Sequence, residues 1–333
     1  MYESYYSLDR APFANIPDPD FLYLSPNHKR ALSTLEYALA ARAGFCVITG
    51  DVGAGKTTLV RSVLQRLDSN IEIGLVSNTQ CDSFEEFLSW ILLAFDLQPQ
   101  GTTKVELYDQ FVQYLIDQHK NGYPVTLIVD EAQHLGYKYL EQLRMLSNVN
   151  TEKGLLLQTI LVGQPELWKL LRKPELEQFA QRISYDYFLE PLQDAQIAKE
   201  YVEFRLRQAG GDPDLFADNT YEAIWRATNG VPRLINLLCD TALLYGYAEE
   251  KDRIDLPVIE QVIRDKESRF SPIGKTQPYA EPQSRQRTSR IIDGPEAATR
   301  PESSHTDTPA SSKAGEVTKL STIERAARFM NKK

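Results

Sequence analysis

The chain has 333 residues, 42% of them hydrophobic and 25% charged, the balance of one large or two modest globular domains. No apolar run approaches the ~18 residues of a membrane-spanning helix, and the N-terminus lacks the basic flank and apolar stretch of a secretory signal, which points to the cytoplasm. Net charge is −9, from 37 Lys/Arg and 46 Asp/Glu; from Ser271 onward the count is 11 against 7, so the first 270 residues hold 26 against 39 and carry −13. An acidic body of that kind argues against long, non-specific wrapping by nucleic acid, though not against a local basic patch. The cysteines (Cys46, Cys81, Cys239) lie in or beside apolar segments and read as buried thiols.

In chain order, residues 1–30 are aromatic and proline-rich, with "PDPDFLYLSP" reading as irregular chain that leads into a helix over about 27–43. Strand and helix patterns then alternate. "GFCVITG" reads as a buried strand, "KTTLVRSVLQRL" as an amphipathic helix and "IEIGLVSN" as a strand. "SFEEFLSWILLAF" and "VELYDQFVQYLIDQHK" follow as helices, "VTLIVDE" as a strand, "YLEQLRMLSN" as a helix and "LLLQTILVGQ" as a strand. Apolar strands alternating with helices predict a parallel sheet covered on both faces. From about Pro191 the strands stop and helical patterns run to about residue 268.

The expected organisation is therefore an N-terminal segment (1–30), an α/β domain (31–190) and a small all-α lid domain (191–268). A Pro/Ser/Thr/Arg-rich linker (269–316) follows, predicted to be disordered, and then a short amphipathic helix (317–333). Leu320, Ile323, Ala327 and Met330 share one face of that last helix, and Ser321 and Glu324 have capping-box spacing. It either folds on docking to a partner or neighbouring subunit, or is a solvated tail with incidental spacing.

"GDVGAGKT", residues 50–57, fits G-x-x-x-x-G-K-[ST] between a predicted strand and a predicted helix, the context a phosphate-binding loop requires. Gly50, Asp51, Val52, Gly53, Ala54 and Gly55 would present backbone N–H groups to phosphates, with Gly53 and Gly55 allowing the turn. Lys56 would reach the outer phosphates and Thr57 would offer its hydroxyl to Mg²⁺, with Thr58 next in the helix whose positive end faces the anion. The strand "VTLIVDEAQ" ends in two acids: Asp130 to hold Mg²⁺ through water and Glu131 to polarise the attacking water, which points to hydrolysis.

Three further residues are candidates. Asn78, at the end of the second strand, would hold Glu131 in an inactive pose, unless it is a turn residue. Gln164, after "TILVG", would orient the water. Arg182, in "FAQRIS", is read as lying beyond the last core strand, either as a surface arginine or as a group reaching a neighbouring subunit's γ-phosphate. In "TNGVPRLINLL", Arg233 puts a cation in the first turn of a helix, where the dipole is already positive. An anion shared between the α/β and helical domains resolves that cost, so Arg233 is expected on the nucleotide phosphates.

Together these residues resemble the AAA+ ATPases, and within them the general secretion pathway ATPases of the ExeA/GspA type. The resemblance covers about residues 1–268 through "PFANIPDPDFLYLSPNHKRAL", "GDVGAGKTTLVR", "LIVDEAQHL", "LRMLSNV", "LVGQPEL", "QRI" and "NGVPRLINLLCDTALL". The opening "MYESYY", with "HKRAL" and "GDVGAGKTTLVRSVL", is most similar to the soluble subgroup associated with exosortase and exopolysaccharide loci. The resemblance implies a P-loop AAA+ fold and ATP hydrolysis with Mg²⁺ at the interfaces of a homo-oligomer, usually a hexameric ring, alternatively a spiral. It implies Arg182 as arginine finger, Arg233 as the second sensor, and Tyr23, Leu24, Pro26 and His28 lining the adenine pocket; His28 alone would read as a surface histidine.

Secretion-type members typically continue into a transmembrane helix and a periplasmic peptidoglycan-binding region, whereas this sequence has a polar tail. The expectation is an ATPase acting as motor or switch for an envelope secretion or exopolysaccharide export component, cytoplasmic or peripheral at the inner membrane. The alternatives are a DNA-binding regulator similar to the transposition ATPases, against which the acidic body weighs, and a nucleotide-gated adaptor with negligible turnover, against which Glu131 weighs.

Overall fold

The computed structural model of the protein describes residues 1–267 except 17, 67–69, 78, 152 and 153. The linker and terminal-helix expectations for 269–333, and Asn78, lie outside the described residues. Five strands form one parallel sheet: β1 (Phe45–Gly50), β2 (Glu72–Val76), β3 (Val125–Val129), β4 (Leu157–Gly163) and β5 (Ile183–Leu189), in the order β2-β3-β4-β1-β5. Every residue of β1, β3 and β4 is buried, as strands covered on both faces require.

The two-residue period sorts their side chains between two cores. Phe45, Val47, Leu127, Val129 and Leu161 meet helices α3 (Phe84–Ala94), α4 (Lys104–Lys120), α5 (Tyr137–Leu146) and α6 (Pro165–Leu171). Cys46, Ile48, Ile128, Ile160 and Val162 meet α1 (Pro26–Ala40) and α2 (Lys56–Arg66) on the other face. Cys46 and Cys239 are buried thiols, as expected, and Cys81 is half-buried.

β5 is a strand the sequence reading did not contain. "ISYDYFL" is an edge strand with Ser184 and Asp186 exposed, so polar residues break its apolar run at two alternate positions. Arg182 therefore precedes the last strand and does not lie beyond it.

The helical part comprises α7 (Ala195–Gln208), α8 (Tyr221–Thr228), α9 (Pro232–Ala248) and α10 (Leu256–Glu267). Asp194 caps α7 by accepting from the Ile197 N–H at 2.7 Å. The N-terminal segment is not a separate piece. Tyr6, Leu8, Phe13 and Phe21 are buried in the same core as Val202, Phe216, Ile224, Leu238 and Val262 of the helical lobe. The segment is also held by hydrogen bonds: Tyr2 Oη donates to Asp240 at 2.5 Å, and the Asp9 N–H donates to the Ala209 carbonyl at 2.8 Å. Arg205, only 6% exposed, donates to the Pro12 carbonyl at 2.6 Å and the Ala14 carbonyl at 3.1 Å. Among the described residues no helix is long and apolar enough to cross a membrane.

Phe13, 1% exposed, stands edge-on to Phe216 with ring centres 6.0 Å apart. Phe13→Ala should therefore destabilise the protein by about 3–5 kcal/mol in urea unfolding, as a cavity in a packed core does. A loss below about 1 kcal/mol would mean that the segment is not part of that core.

Candidate nucleotide site

Residues 50–57 connect β1 to the first turn of α2. Gly53 and Gly55 adopt φ +83° and +99°, conformations that L side chains rarely adopt. The loop curls around Lys56, whose Nζ donates to the Gly50 carbonyl at 2.7 Å and to the Asp51 carbonyl at 2.9 Å. Burial holds the Lys56 ammonium below its ordinary pKa, against the attraction of Glu131, Asp130 and Asp51. A mostly buried cation beside a helix N-terminus and glycine-turned amides is an anion-binding hollow.

The two acids close the next side. Asp130, 7% exposed, accepts from Thr57 Oγ1 at 2.9 Å and from the Glu131 N–H at 2.9 Å. Burial raises its pKa, and those two hydrogen bonds work against the rise. Thr57 and Asp130 thus bring a hydroxyl and a carboxylate together beside the loop, a set of hard oxygen donors that fits Mg²⁺.

Glu131 sits in the left-handed region at φ 54°, ψ 35°, uncommon for a residue with a side chain. Its Oε2 accepts from Gln133 Nε2 at 2.5 Å and from Gln164 Nε2 at 3.2 Å. Burial pushes its carboxyl up, but the two amides and Lys56 outweigh that and hold it below the usual carboxylate value. Gln164, expected to orient the attacking water, thus sits beside Glu131. Gln133 was missed, and its one sequence signal is an amide two residues after the second acid in "DEAQ".

A cavity of about 360 Å³ lies between the loop and the helical lobe, lined by Val52–Thr58, Glu131 and Gln164 on one side and Tyr201, Arg205, Arg233 and Asn236 on the other. Ala14, Asn15, Ile16, Phe21 and Leu22 close one end with Tyr23 and His28. Tyr23 and His28 were expected there; Leu24 and Pro26 are not among the lining residues. Leu24 packs against the α1/α2 core, and Pro26 opens helix α1. Tyr201, Arg205 and Asn236 escaped the sequence reading because on a helical pattern they read as ordinary positions of α7 and α9.

His28 is not a surface residue. It is 3% exposed, with Nε2 3.1 Å from the Ala54 carbonyl and Nδ1 2.7 Å from Ser25 Oγ. A carbonyl only accepts, so Nε2 carries the proton and Nδ1 accepts from the serine hydroxyl. The ring therefore braces the phosphate loop from below, and burial pushes its pKa down to about 4.

Arg233 stands in the first turn of α9, exposed on the cavity wall. Its backbone N–H donates to the Gly53 carbonyl at 3.2 Å. A Cβ on Gly53 would come within 2.5 Å of the Arg233 Cβ, so this glycine is required by the approach of the helical lobe as well as by its φ. Among the described residues no acceptor holds the Arg233 guanidinium.

Arg182 is not brought to this site. Ile183 pairs with Phe45 and Leu189 with Gly50, so Arg182 lies at the start of β5, at the end of the sheet remote from the loop. Its guanidinium donates to Asn148 Oδ1.

Comparison with known proteins agrees with this geometry. A family model described as an AAA domain matches residues 40–171. General secretion pathway protein A of Aeromonas hydrophila is 39% identical over 255 residues, 76% of this chain and 46% of that protein. The chain thus spans about half the length of that relative. Among solved structures, Aeropyrum pernix ORC2 in its ADPNP-ADP complexes superposes with a TM-score of 0.59 at 18% identity, over 77% of this chain and 71% of its own. Cdc6p from Pyrobaculum aerophilum gives 0.59 at 14%, over 75% and 71%. Drosophila ORC bound to DNA gives 0.56 at 15%, over 76% and 63%. These likenesses establish the fold, a P-loop AAA sheet followed by a helical region.

The folded-state pKa of His28 lies below its unfolded value, so the neutral ring's contribution is complete above about pH 6.5 and is lost as pH falls toward 4. Urea unfolding at pH 7 and pH 4.5 should therefore show an acid-dependent loss, about 3 kcal/mol at its limit, that His28→Gln removes. Equal pH dependence in both proteins would mean that His28 is not buried neutral.

Proposed function

The chain carries an AAA domain of the general secretion pathway protein A type, and from that premise we propose that it binds ATP with Mg²⁺ in the cavity between its lobes and hydrolyses it. The observation that carries the reading is the convergence on one cavity of the phosphate loop with buried Lys56, the ionised Glu131 and Arg233, whose guanidinium has no acceptor among the described residues.

The loop amides and Lys56 bind the phosphates, and Thr57 and Asp130 hold the metal. Bound there, Mg²⁺ would neutralise charge on the phosphate oxygens. Glu131 takes the proton of the attacking water, and Gln164 orients that water. Arg233 answers the dipole conflict of its own helix by pairing with the phosphates, and so ties the position of the helical lobe to the nucleotide state. The chain's own phosphate loop lies beyond Arg182: β5 has seven residues, roughly 20 Å of strand, between that arginine and the end of the sheet that bears the loop. Arg182 acts in trans, on the nucleotide of a neighbouring copy in a ring or spiral, after release from Asn148. On the likeness to general secretion pathway protein A we assign the assembly to an envelope secretion machine, or, on the opening "MYESYY" with "HKRAL" and "GDVGAGKTTLVRSVL", to an exopolysaccharide export machine, as its motor or switch.

Glu131→Gln should lower Mg-ATPase turnover by about a hundredfold or more while leaving nucleotide binding intact. In light scattering with ATP it should persist as an oligomer that the wild type loses as ATP is consumed. Turnover equal to wild type would remove Glu131 from the chemistry.

Arg182→Ala should bind ATP with unchanged affinity yet lose turnover by about 10³-fold, with activity partly restored by mixing it with Lys56→Ala subunits. An unimpaired Arg182→Ala ATPase would leave this arginine without a role in trans.

A further inference from the structure

We propose that Gln133 is a positioning residue for the reaction: its side-chain amide clamps the Glu131 carboxylate to the end of β4, so that one oxygen is tied down and the other is left for water. This rests on the reading of Glu131 as the group that takes the proton.

The clamp is built from both ends of one amide. Nε2 donates to Glu131 Oε2 at 2.5 Å, and Oε1 accepts from the Gln164 backbone N–H at 3.0 Å. A carboxylate accepts only and an N–H donates only, so the amide has a single workable orientation. The turn after Glu131 makes the reach possible. Ala132–His134 form one 3-10 turn, closed by the His134 N–H on the Glu131 carbonyl at 3.1 Å, which brings residue 133 back beside the left-handed Glu131. Gly163, the last residue of β4, leaves the space: a Cβ there would lie 2.9 Å from Gln133 Oε1.

Gln164 Nε2 adds a second donor to the same oxygen, Oε2, at 3.2 Å. Among the described residues Oε1 of Glu131 has no donor, and Glu131 lines the cavity. The carboxylate is thus held by one oxygen in a residue that lines the nucleotide space. Gln164 reaches it from the site's own polar residues; Gln133 faces Gln164 and Glu131 and serves to fix their mutual distance.

The test compares Gln133→Leu, which removes both hydrogen bonds at similar volume, and Gln133→Glu, which keeps the shape but presents a second acceptor to Glu131. Two readouts are needed. The first is Mg-ATPase kcat and KM as a function of pH. The second is the titration of the Glu131 carboxyl in the nucleotide-free protein, followed by carbon NMR with labelled glutamate and assigned by its disappearance in Glu131→Gln. Gln133→Leu should raise the proton affinity of Glu131 about tenfold, move the acid limb of kcat to higher pH and lower kcat more than KM changes. Gln133→Glu should do more of each. Binding of a fluorescent ADP within about twofold of wild type shows that the fold is intact.

An unmoved Glu131 titration in both variants overturns the clamp, whatever the ATPase does. A wild type that binds nucleotide without turning it over instead overturns the hydrolytic reading, while the titration still decides whether Gln133 holds the carboxylate. Should Gln133→Leu not fold, Gln133→Met removes the same two hydrogen bonds and is read in the same two ways.

Discussion

The contact on which the molecule turns is a backbone hydrogen bond between its lobes, from the Arg233 N–H to the Gly53 carbonyl. It joins a helix start to the loop that is itself another helix start, so two positive dipole ends converge on one hollow. Like ends repel, and Lys56 and Arg233 add two cations to the same region. Asp51, Asp130 and Glu131 on the sheet side face those cations. A polyanion entering the hollow would be met by both lobes at once.

How far the fold was legible follows from where each signal lives. β1, β3 and β4 were legible because strands buried on both faces write continuous apolar runs. β5 was not, because an edge strand keeps polar residues such as Ser184 and Asp186 on its open side and its alternation is short. The stretch "PDPDFLYLSP" reads as irregular chain, and among its described residues the 3-10 turn Pro19–Phe21 is the regular element before α1, while a short helix, Tyr2–Tyr5, stands upstream in the N-terminal segment. The segment's burial depends on Phe216, Ile224 and Leu238, some 200 residues later, a relation that no window of sequence contains.

The site divides the same way. Lys56, Thr57, Asp130 and Glu131 were legible because their chemistry demands fixed spacing on a strand–loop–helix frame. Gln164 was legible as a polar residue ending a core strand. Gln133 and Arg205 were not, because each acts on a main-chain group far away in sequence, Gln164 in one case and Pro12 and Ala14 in the other. His28 was placed through a family likeness, and its actual duty, bracing the loop through the Ala54 carbonyl, has no local signature. The position of Arg182 relative to the sheet was not legible, because that required β5.

The integration of residues 1–21 into the helical lobe has a consequence for biogenesis. The polypeptide leaves that lobe near residue 22, builds the whole sheet, and comes back near residue 190, so the α/β lobe is a topological insertion. During synthesis this aromatic segment emerges before the sheet but finds its partners only after helices α7–α10 have cleared the ribosome. The sheet can be completed in the meantime. Nascent chains would thus hold Phe13 and Phe21 in contact with water for most of translation, at the stage when a chaperone that captures exposed aromatics has the longest window to act.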